Sequence, residues 1–247
     1  MRKNNRTFEQ IRPTQFTTDF IQTADGSALI EMGKTRVIAT ATIEEKVPSF
    51  LKGNGSGWIT AEYAMLPRAT AKRTVRERFT GRLSGRTQEI QRLIGRALRA
   101  ATDLKALGER TIIIDCDVIQ ADGGTRCASI NVGCVALAMA LIKLMESKAI
   151  NRMPLKHLVS AVSVGIVRKK ILLDLDYSED SRADIDMNVV KTDSGEIVEI
   201  QAAAEKDPFP RESLDSLLEL ADTGIKEITS IQKSVLKKTS LLFMAYG

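Results

Sequence analysis

The chain has 247 residues, 43% of them hydrophobic and 27% charged. That suits one large or two small globular domains and excludes an intrinsically disordered chain. Net charge is +5, but Arg68–Arg99 alone holds ten Lys or Arg against two Glu, a net of +8 that leaves −3 for the rest. A basic block on a mildly acidic body points to a polyanionic partner.

Residues 1–20 are polar and read as extended, with Arg12-Pro13 a non-helical step. After a turn at Asp25-Gly26, Ala28–Met32 and Arg36–Ile43 predict a hairpin around Gly33-Lys34. Lys52–Gly57 is a glycine-rich loop, and Trp58–Met65 is a strand closed by Pro67. Arg68–Arg82 is basic without an apolar face and reads as a loop or arm. A helix is expected over Ser84–Leu104, with Ser84 as N-cap and Ile90, Leu93, Ile94, Ala97 and Leu98 on its buried stripe. Thr111–Gln120 is rich in β-branched residues and reads as a buried strand. Cys127–Met145 has too few charges for a surface helix and reads as a buried one. After a break at Asn151–Pro154 come four strands, at Leu158–Arg168, Ile171–Tyr177, Ala183–Thr192 and Ile197–Ala204, with a hairpin turn at Thr192–Gly195. Pro210 opens a last helix striped by Leu214, Leu217, Leu218, Ala221, Ile225 and Ile228, with Gly224 a place for a bend. Strands followed by helices, twice, predict an α+β fold of two halves, 1–150 and 151–247, packed as one unit.

Two stretches carry chemistry. Between the central strand and the buried helix, Asp122-Gly-Gly-Thr-Arg126 lets the backbone turn sharply into a helix N-terminus, which attracts anions. Gly124, Thr125 and Arg126 therefore suit a phosphate seat, while an ordinary strand-to-helix turn with a solvated arginine suits the same residues. Arg86 falls in the first turn of its helix, where the dipole disfavours a cation unless an anion shares the site. Further on, Asp174, Asp176, Asp180, Asp184 and Asp186 crowd one region. Alternation puts Asp184, Asp186 and Asn188 on one strand face and Ile185, Met187 and Val189 on the other. Paired acids can share Mg²⁺ or keep one proton for general acid work, and the same spacing also describes a solvent-facing sheet side.

Other chemistries are poorly served. His157 is the single histidine, so a His-based zinc or diiron site lacks ligands, and no Gly-x-Ser-x-Gly elbow supports a Ser-His-Asp triad. Cys116, Cys127 and Cys134 are odd in number without a Cys-x-x-Cys, and read as buried hydrophobes in a reducing compartment. The first residues lack the apolar core of a signal peptide, and the uncharged run Cys127–Ile142 is shorter than a membrane span of ~20 residues. A cytoplasmic protein without membrane association is expected.

A set of ordered motifs resembles one family. Gln10-Ile-Arg-Pro13, Asp25–Thr35, Glu62-Tyr-Ala-Met-Leu-Pro-Arg-Ala-Thr70, Gly85–Arg99, Asp115-Cys-Asp-Val-Ile-Gln-Ala-Asp-Gly-Gly-Thr-Arg126 and Asp174-Leu-Asp-Tyr-Ser-Glu-Asp-Ser181 are similar to the ribonuclease PH family in order and spacing, from about residue 8 to the last helix. The resemblance implies a split β-α-β fold, also found in a small-subunit ribosomal protein, and a homo-hexamer built as a trimer of dimers. It implies a phosphorolytic exoribonuclease that trims tRNA precursors from the 3′ end with inorganic phosphate as co-substrate. Carried over, Arg86, Thr125 and Arg126 would hold phosphate and Gly124 would give backbone access. Asp180 and Asp186 would be the catalytic carboxylates and hold Mg²⁺, and Arg68, Arg73 and Arg76 would grip RNA, with Lys72 in the same basic block. The chain departs from the pattern at Ile185, where the family often has Thr, and at Gln201-Ala-Ala-Ala-Glu205, where it has Gln-Gly-Thr-Ala-Glu.

The expected chemistry is consistent with these residues. Phosphate is already an anionic nucleophile, so the reaction needs charge neutralisation and orientation rather than a strong base. An acid must protonate the leaving 3′ oxygen, and Asp186 is the candidate. The alternative is a non-catalytic RNA-binding ring subunit of an exosome-like assembly, which has no need for Arg86, Thr125, Arg126, Asp180 and Asp186 together.

Overall fold

The hairpin at Gly33-Lys34 forms as expected and seeds a five-stranded sheet in the computed structural model, which describes residues 2, 5–79 and 81–239. Strands β1 (Thr14–Thr18), β2 (Gly26–Met32), β3 (Thr35–Glu44), β4 (Trp58–Met65) and β5 (Thr111–Gln120) lie in the order β1-β2-β3-β5-β4. The extended N-terminal stretch thus supplies an edge strand, β1, paired antiparallel with β2. Strands β4 and β5 run parallel, joined through helix α1 (Gly85–Ala100), which gives the expected β-α-β crossover. Ser84 caps α1 by accepting the Thr87 N–H, and Ile90, Leu93, Ile94, Ala97 and Leu98 are all buried. Each large side chain so buried contributes about 1.5–3 kcal/mol.

Two expected boundaries move, each for a local reason. The helix begun at Ser84 ends at Ala100 rather than at Leu104. Thr102 Oγ1 donates to Leu98 O, and the Asp103 carboxylate starts a new turn, α2 (Leu104–Leu107), by accepting the N–H groups of Lys105 and Ala106. The strand expected to reach Tyr177 stops at Leu173. Asp174 adopts a left-handed φ of 53°, and Asp176 caps a single helical turn, α4 (Tyr177–Asp180), in a capping box with Glu179.

The second sheet holds β6 (Val159–Val167), β7 (Lys170–Leu173), β8 (Ile185–Thr192) and β9 (Ile197–Ala204) in the order β7-β6-β8-β9, all antiparallel. Helix α3 (Thr125–Glu146) packs against β2, β3 and β5 on one side and β6 on the other. Enclosure on both sides explains its lack of a polar face. Among the described residues it is the one helix long and apolar enough to cross a membrane, and 94% of its apolar window is buried inside the fold. The last helix, α5 (Arg211–Thr239), runs through Gly224 without interruption. A Cβ there would lie 2.8 Å from Leu173 Cδ1 and 3.0 Å from Val162 Cγ1, so the glycine serves close packing on β6 and β7. One hydrophobic core joins residues of both sheets.

Candidate active site

The turn between β5 and α3 is held from three sides before any ligand is considered. Thr35 Oγ1 accepts the Asp122 N–H and donates to Gly123 O, and Arg12 Nη1 donates to Asp122 O at 2.6 Å. Gly123, at φ 78°, lies against the backbone of Leu175–Tyr177, where a Cβ would come within 2.7 Å of three backbone atoms. The β5–α3 turn and the acidic loop are therefore wedged together, and only glycine permits it. Gly124 follows in the left-handed region as N-cap of α3, with no side chain capping the helix. The leading N–H groups of α3 are thus left to an incoming anion.

Gly124, Thr125, Arg126, Arg86, Asp180 and Asp186 line a single cavity of about 480 Å³, with Ser163, Asn188, Arg182, Glu205 and Lys206 on its walls. Residues up to 100 positions apart in the chain thus meet as the two carboxylates and two arginines of one site. Tyr63, which the sequence did not single out, donates its hydroxyl to Thr125 Oγ1 at 3.0 Å. That leaves the threonine's own proton free for a ligand. Burial raises the Tyr63 pKa and keeps it a donor. Arg126 Nη1 donates to Gln201 Oε1 at 2.7 Å, and Gln201 Nε2 donates in turn to Glu89 at 2.7 Å. The guanidinium is thereby fixed between α1 and β9. Gln201 stood in the sequence only as the start of a divergent motif.

The five clustered acids separate into different roles. Asp174 is buried against Arg12, 2.6 Å away, and does not face the cavity. Asp176 is occupied in capping α4. Asp184 pairs with Lys206 at 2.5 Å. Asp180 ends α4, and Asp186 projects from β8 beside Asn188. Burial, and then the neighbouring Asp180, push the Asp186 pKa up to about 6 against the pull of Arg126. Burial raises Asp180 as well, with Arg86 and then Arg126 opposing. One acid of this pair is ready to hold a proton near neutral pH beside a cationic seat.

Ile185 lies on the opposite strand face, buried in the core, and Ala203 is the cross-strand partner of Asp186. Among the described residues no group of three or more His, Cys, Asp or Glu side chains is placed to hold a metal ion. Arg68, Lys72, Arg73 and Arg76 are exposed and do not line this cavity; Arg76 lines a neighbouring one that shares Arg86 and Tyr63. Of the remaining basic block, Arg96 is paired with Glu199 and Arg99 lies 4.3 Å over the Trp58 ring. The three cysteines are buried and free, with Cys134 pushed by burial up to about 12.

Residues 10–143 match domain 1 of the 3′ exoribonuclease family and residues 157–224 match domain 2. A ribonuclease PH of Moorella thermoacetica is 56% identical over 236 residues, covering 96% of this chain and 94% of that protein. A ribonuclease PH of Solibacter usitatus is 56% identical over 237 residues, covering 96% of this chain and 100% of that protein. The fold also overlays a solved Archaeoglobus fulgidus exosome chain, described with RNA bound to the active site, at a TM-score of 0.78 and 21% identity over 97% of this chain and 92% of the other. With both domain models matched and such relatives aligned along nearly its whole length, the chain belongs to the 3′ exoribonuclease family.

Proposed function

We propose that this cavity degrades RNA by phosphorolysis, with the residues that line it in the roles that follow. The enzyme is a phosphate-dependent 3′-to-5′ exoribonuclease that trims tRNA precursors, releases nucleoside diphosphates and also runs in reverse. The observation that carries the assignment of roles is the meeting of Arg86, Thr125 and Arg126 with Asp180 and Asp186 in one cavity.

Inorganic phosphate lies at the α3 N-terminus, taking the Thr125 hydroxyl, helix N–H groups and the two guanidinium forks. These neutralise its repulsion with the terminal phosphodiester and place an oxygen in line for attack. A new P–O bond forms, and the bond to the 3′ oxygen of the preceding nucleotide breaks. That oxygen takes a proton from Asp186, whose raised pKa supplies the acid form. Asp180, and Asp186 once it has given up its proton, would offer the hard carboxylate oxygens that Mg²⁺ accepts. Mg²⁺ commonly uses one or two carboxylates plus substrate phosphates, so a third protein ligand is not required. When bound, the ion supplies further charge neutralisation.

Arg68, Lys72, Arg73 and Arg76 grip the RNA backbone outside the cavity, without reading bases. The working form is a homo-hexamer, a trimer of dimers, and the exposed Val75, Phe79 and Leu83 beside the basic arm favour burial in such an assembly. The protein acts in the cytoplasm, away from membranes, in keeping with its buried thiols and its enclosed α3. Purified protein given RNA should consume inorganic phosphate and yield nucleoside diphosphates, and arsenate should substitute for phosphate. Shortening at the same rate in phosphate-free buffer, with monophosphate products, would make water the nucleophile and refute phosphorolysis.

A further inference from the structure

The N-terminal arm is tied to the acidic loop by two buried arginines. Arg2 and Arg6 are 7% and 6% exposed, although an arginine is almost never so buried unless paired. Arg2 grips Glu179 with two bonds, Nε to Oε1 at 2.8 Å and Nη2 to Oε2 at 2.7 Å, and Nη2 also donates to Asp174 O at 2.9 Å. Arg6 donates to the same Asp174 carbonyl at 3.0 Å and lies 3.6 Å from Glu179. The Leu173 N–H donates to Phe8 O, docking the arm at the end of β7.

Glu179 directly precedes Asp180 in α4, which is a single turn of four residues. One helical turn does not sustain itself, because nucleation fixes several residues for one hydrogen bond. Its internal support is the capping box, in which Glu179 accepts the Asp176 N–H at 3.1 Å. The same carboxylate is the one Arg2 holds. Without that fork, Glu179 would keep only the longer Arg6 contact and the Asp176 N–H, and the turn carrying Asp180 would lose its shortest outer bonds. Arg12 does a different job, since it binds Asp122 and Gly123 on the phosphate side as well as Asp174.

Resting on the phosphorolytic role proposed above for Asp180, we infer that Arg2 is a positioning residue for the reaction: through Glu179 it fixes α4 so that Asp180 faces the cavity. The β5–α3 turn packs on this loop, but it also has holds of its own from Thr35 and Arg12 that do not involve Arg2. Loss of Arg2 therefore lowers turnover per folded molecule more than it raises KM for phosphate; because an unfolded fraction also lowers apparent kcat at constant KM, turnover is read per folded molecule.

The test compares Arg2→Ala, Arg2→Lys, Glu179→Gln, the double variant Arg2→Ala/Glu179→Gln, and Asp180→Asn as control. Steady-state phosphorolysis and thermal unfolding are measured on each. Arg2→Ala should lower kcat about tenfold, a loss of ~1.4 kcal/mol of transition-state stabilisation, with KM for phosphate and RNA within about twofold. Glu179→Gln should behave alike, and the double variant should fall no further than the worse single, because both remove one link. Arg2→Lys, which keeps charge but not the fork, should lie between. If Arg2→Ala does not fold, Glu179→Gln carries the same expectation. Wild-type kcat in Arg2→Ala beside an inactive Asp180→Asn would overturn the inference alone, as would a loss of kcat that only tracks the unfolded fraction. Full activity in Asp180→Asn would remove Asp180 from the chemistry, and the positioning role with it.

Discussion

Replacing Arg126 by Ala removes the fork that α3 contributes to the phosphate seat. Its guanidinium is only 18% exposed and is already oriented by Gln201 at 2.7 Å, so little ordering cost falls due when phosphate binds. A charge-assisted bond of this kind is worth about 1.5–3 kcal/mol. Because Glu89 lies 3.8 Å from the same guanidinium and already offsets part of its charge, the lower half of that range applies. A loss of ~1.5–2 kcal/mol corresponds to KM for phosphate rising by roughly 10- to 30-fold. Turnover should fall too, because the same fork aims the attacking oxygen. A second signature follows from Asp186. Arg126 is the largest influence drawing its pKa down, so its removal should move the alkaline limb of the pH profile upward. The assay is initial nucleoside diphosphate release against phosphate concentration at several pH values, with RNA affinity measured separately without phosphate. An unchanged KM for phosphate, or an equal loss of phosphate-free RNA binding, would refute the seat. Arg126→Lys should recover part of the charge term and little of the orientation.

Asp186→Asn should abolish phosphorolysis while leaving RNA binding intact; activity within a few-fold of wild type would rule it out as acid or ligand. In the wild type, the acid form of Asp186 is lost as pH rises through about 6, so kcat limited by leaving-group protonation should decline above that value. A profile flat from pH 5 to 8 at saturating phosphate would contradict this. Asp174→Asn should cost about 3–5 kcal/mol of stability, as breaking a buried ion pair does. Burial alone would raise the Asp174 pKa, but Arg12 beside it wins and holds it low. Its contribution is therefore present above the ordinary carboxylate range and lost as pH falls through the lower folded value, and denaturant titrations down to pH 3 should show a shallower acid loss in the variant. Arg73→Ala with Arg76→Ala should weaken tRNA binding, flatten its salt dependence and spare short oligonucleotides; equal losses on both substrates would exclude a remote grip.

What could be read without the fold was whatever a contiguous stretch determines. The β2–β3 hairpin, β4, β5, β9 and the α1 stripe follow from local periodicity and turn chemistry, and Gly124-Thr125-Arg126 reads as a candidate anion seat because a helix N-terminus, a hydroxyl and a guanidinium are adjacent in the chain. The supports of that seat are remote. Arg12 meets Asp174 across 162 positions and Tyr63 meets Thr125 across 62, and neither pair has a local signature. The acids show the limit most clearly. Asp174, Asp176, Asp184 and Asp186 carry the same side chain within one short region, and alternation assigns Asp184 and Asp186 the same face. Their separation depends on backbone and neighbours. A left-handed residue at Asp174 ends the strand early and turns its carboxylate onto Arg12, where the charged form is favoured. Lys206 takes Asp184 at the strand's edge. Asp186 faces Asp180 across a half-buried cavity, where the charged form is disfavoured. The same carboxyl group is thus a structural anion at one position and, in the reaction proposed above, a proton donor at another. The difference comes from whether an arginine or a second acid weighs most among its charged neighbours, which only the folded chain decides.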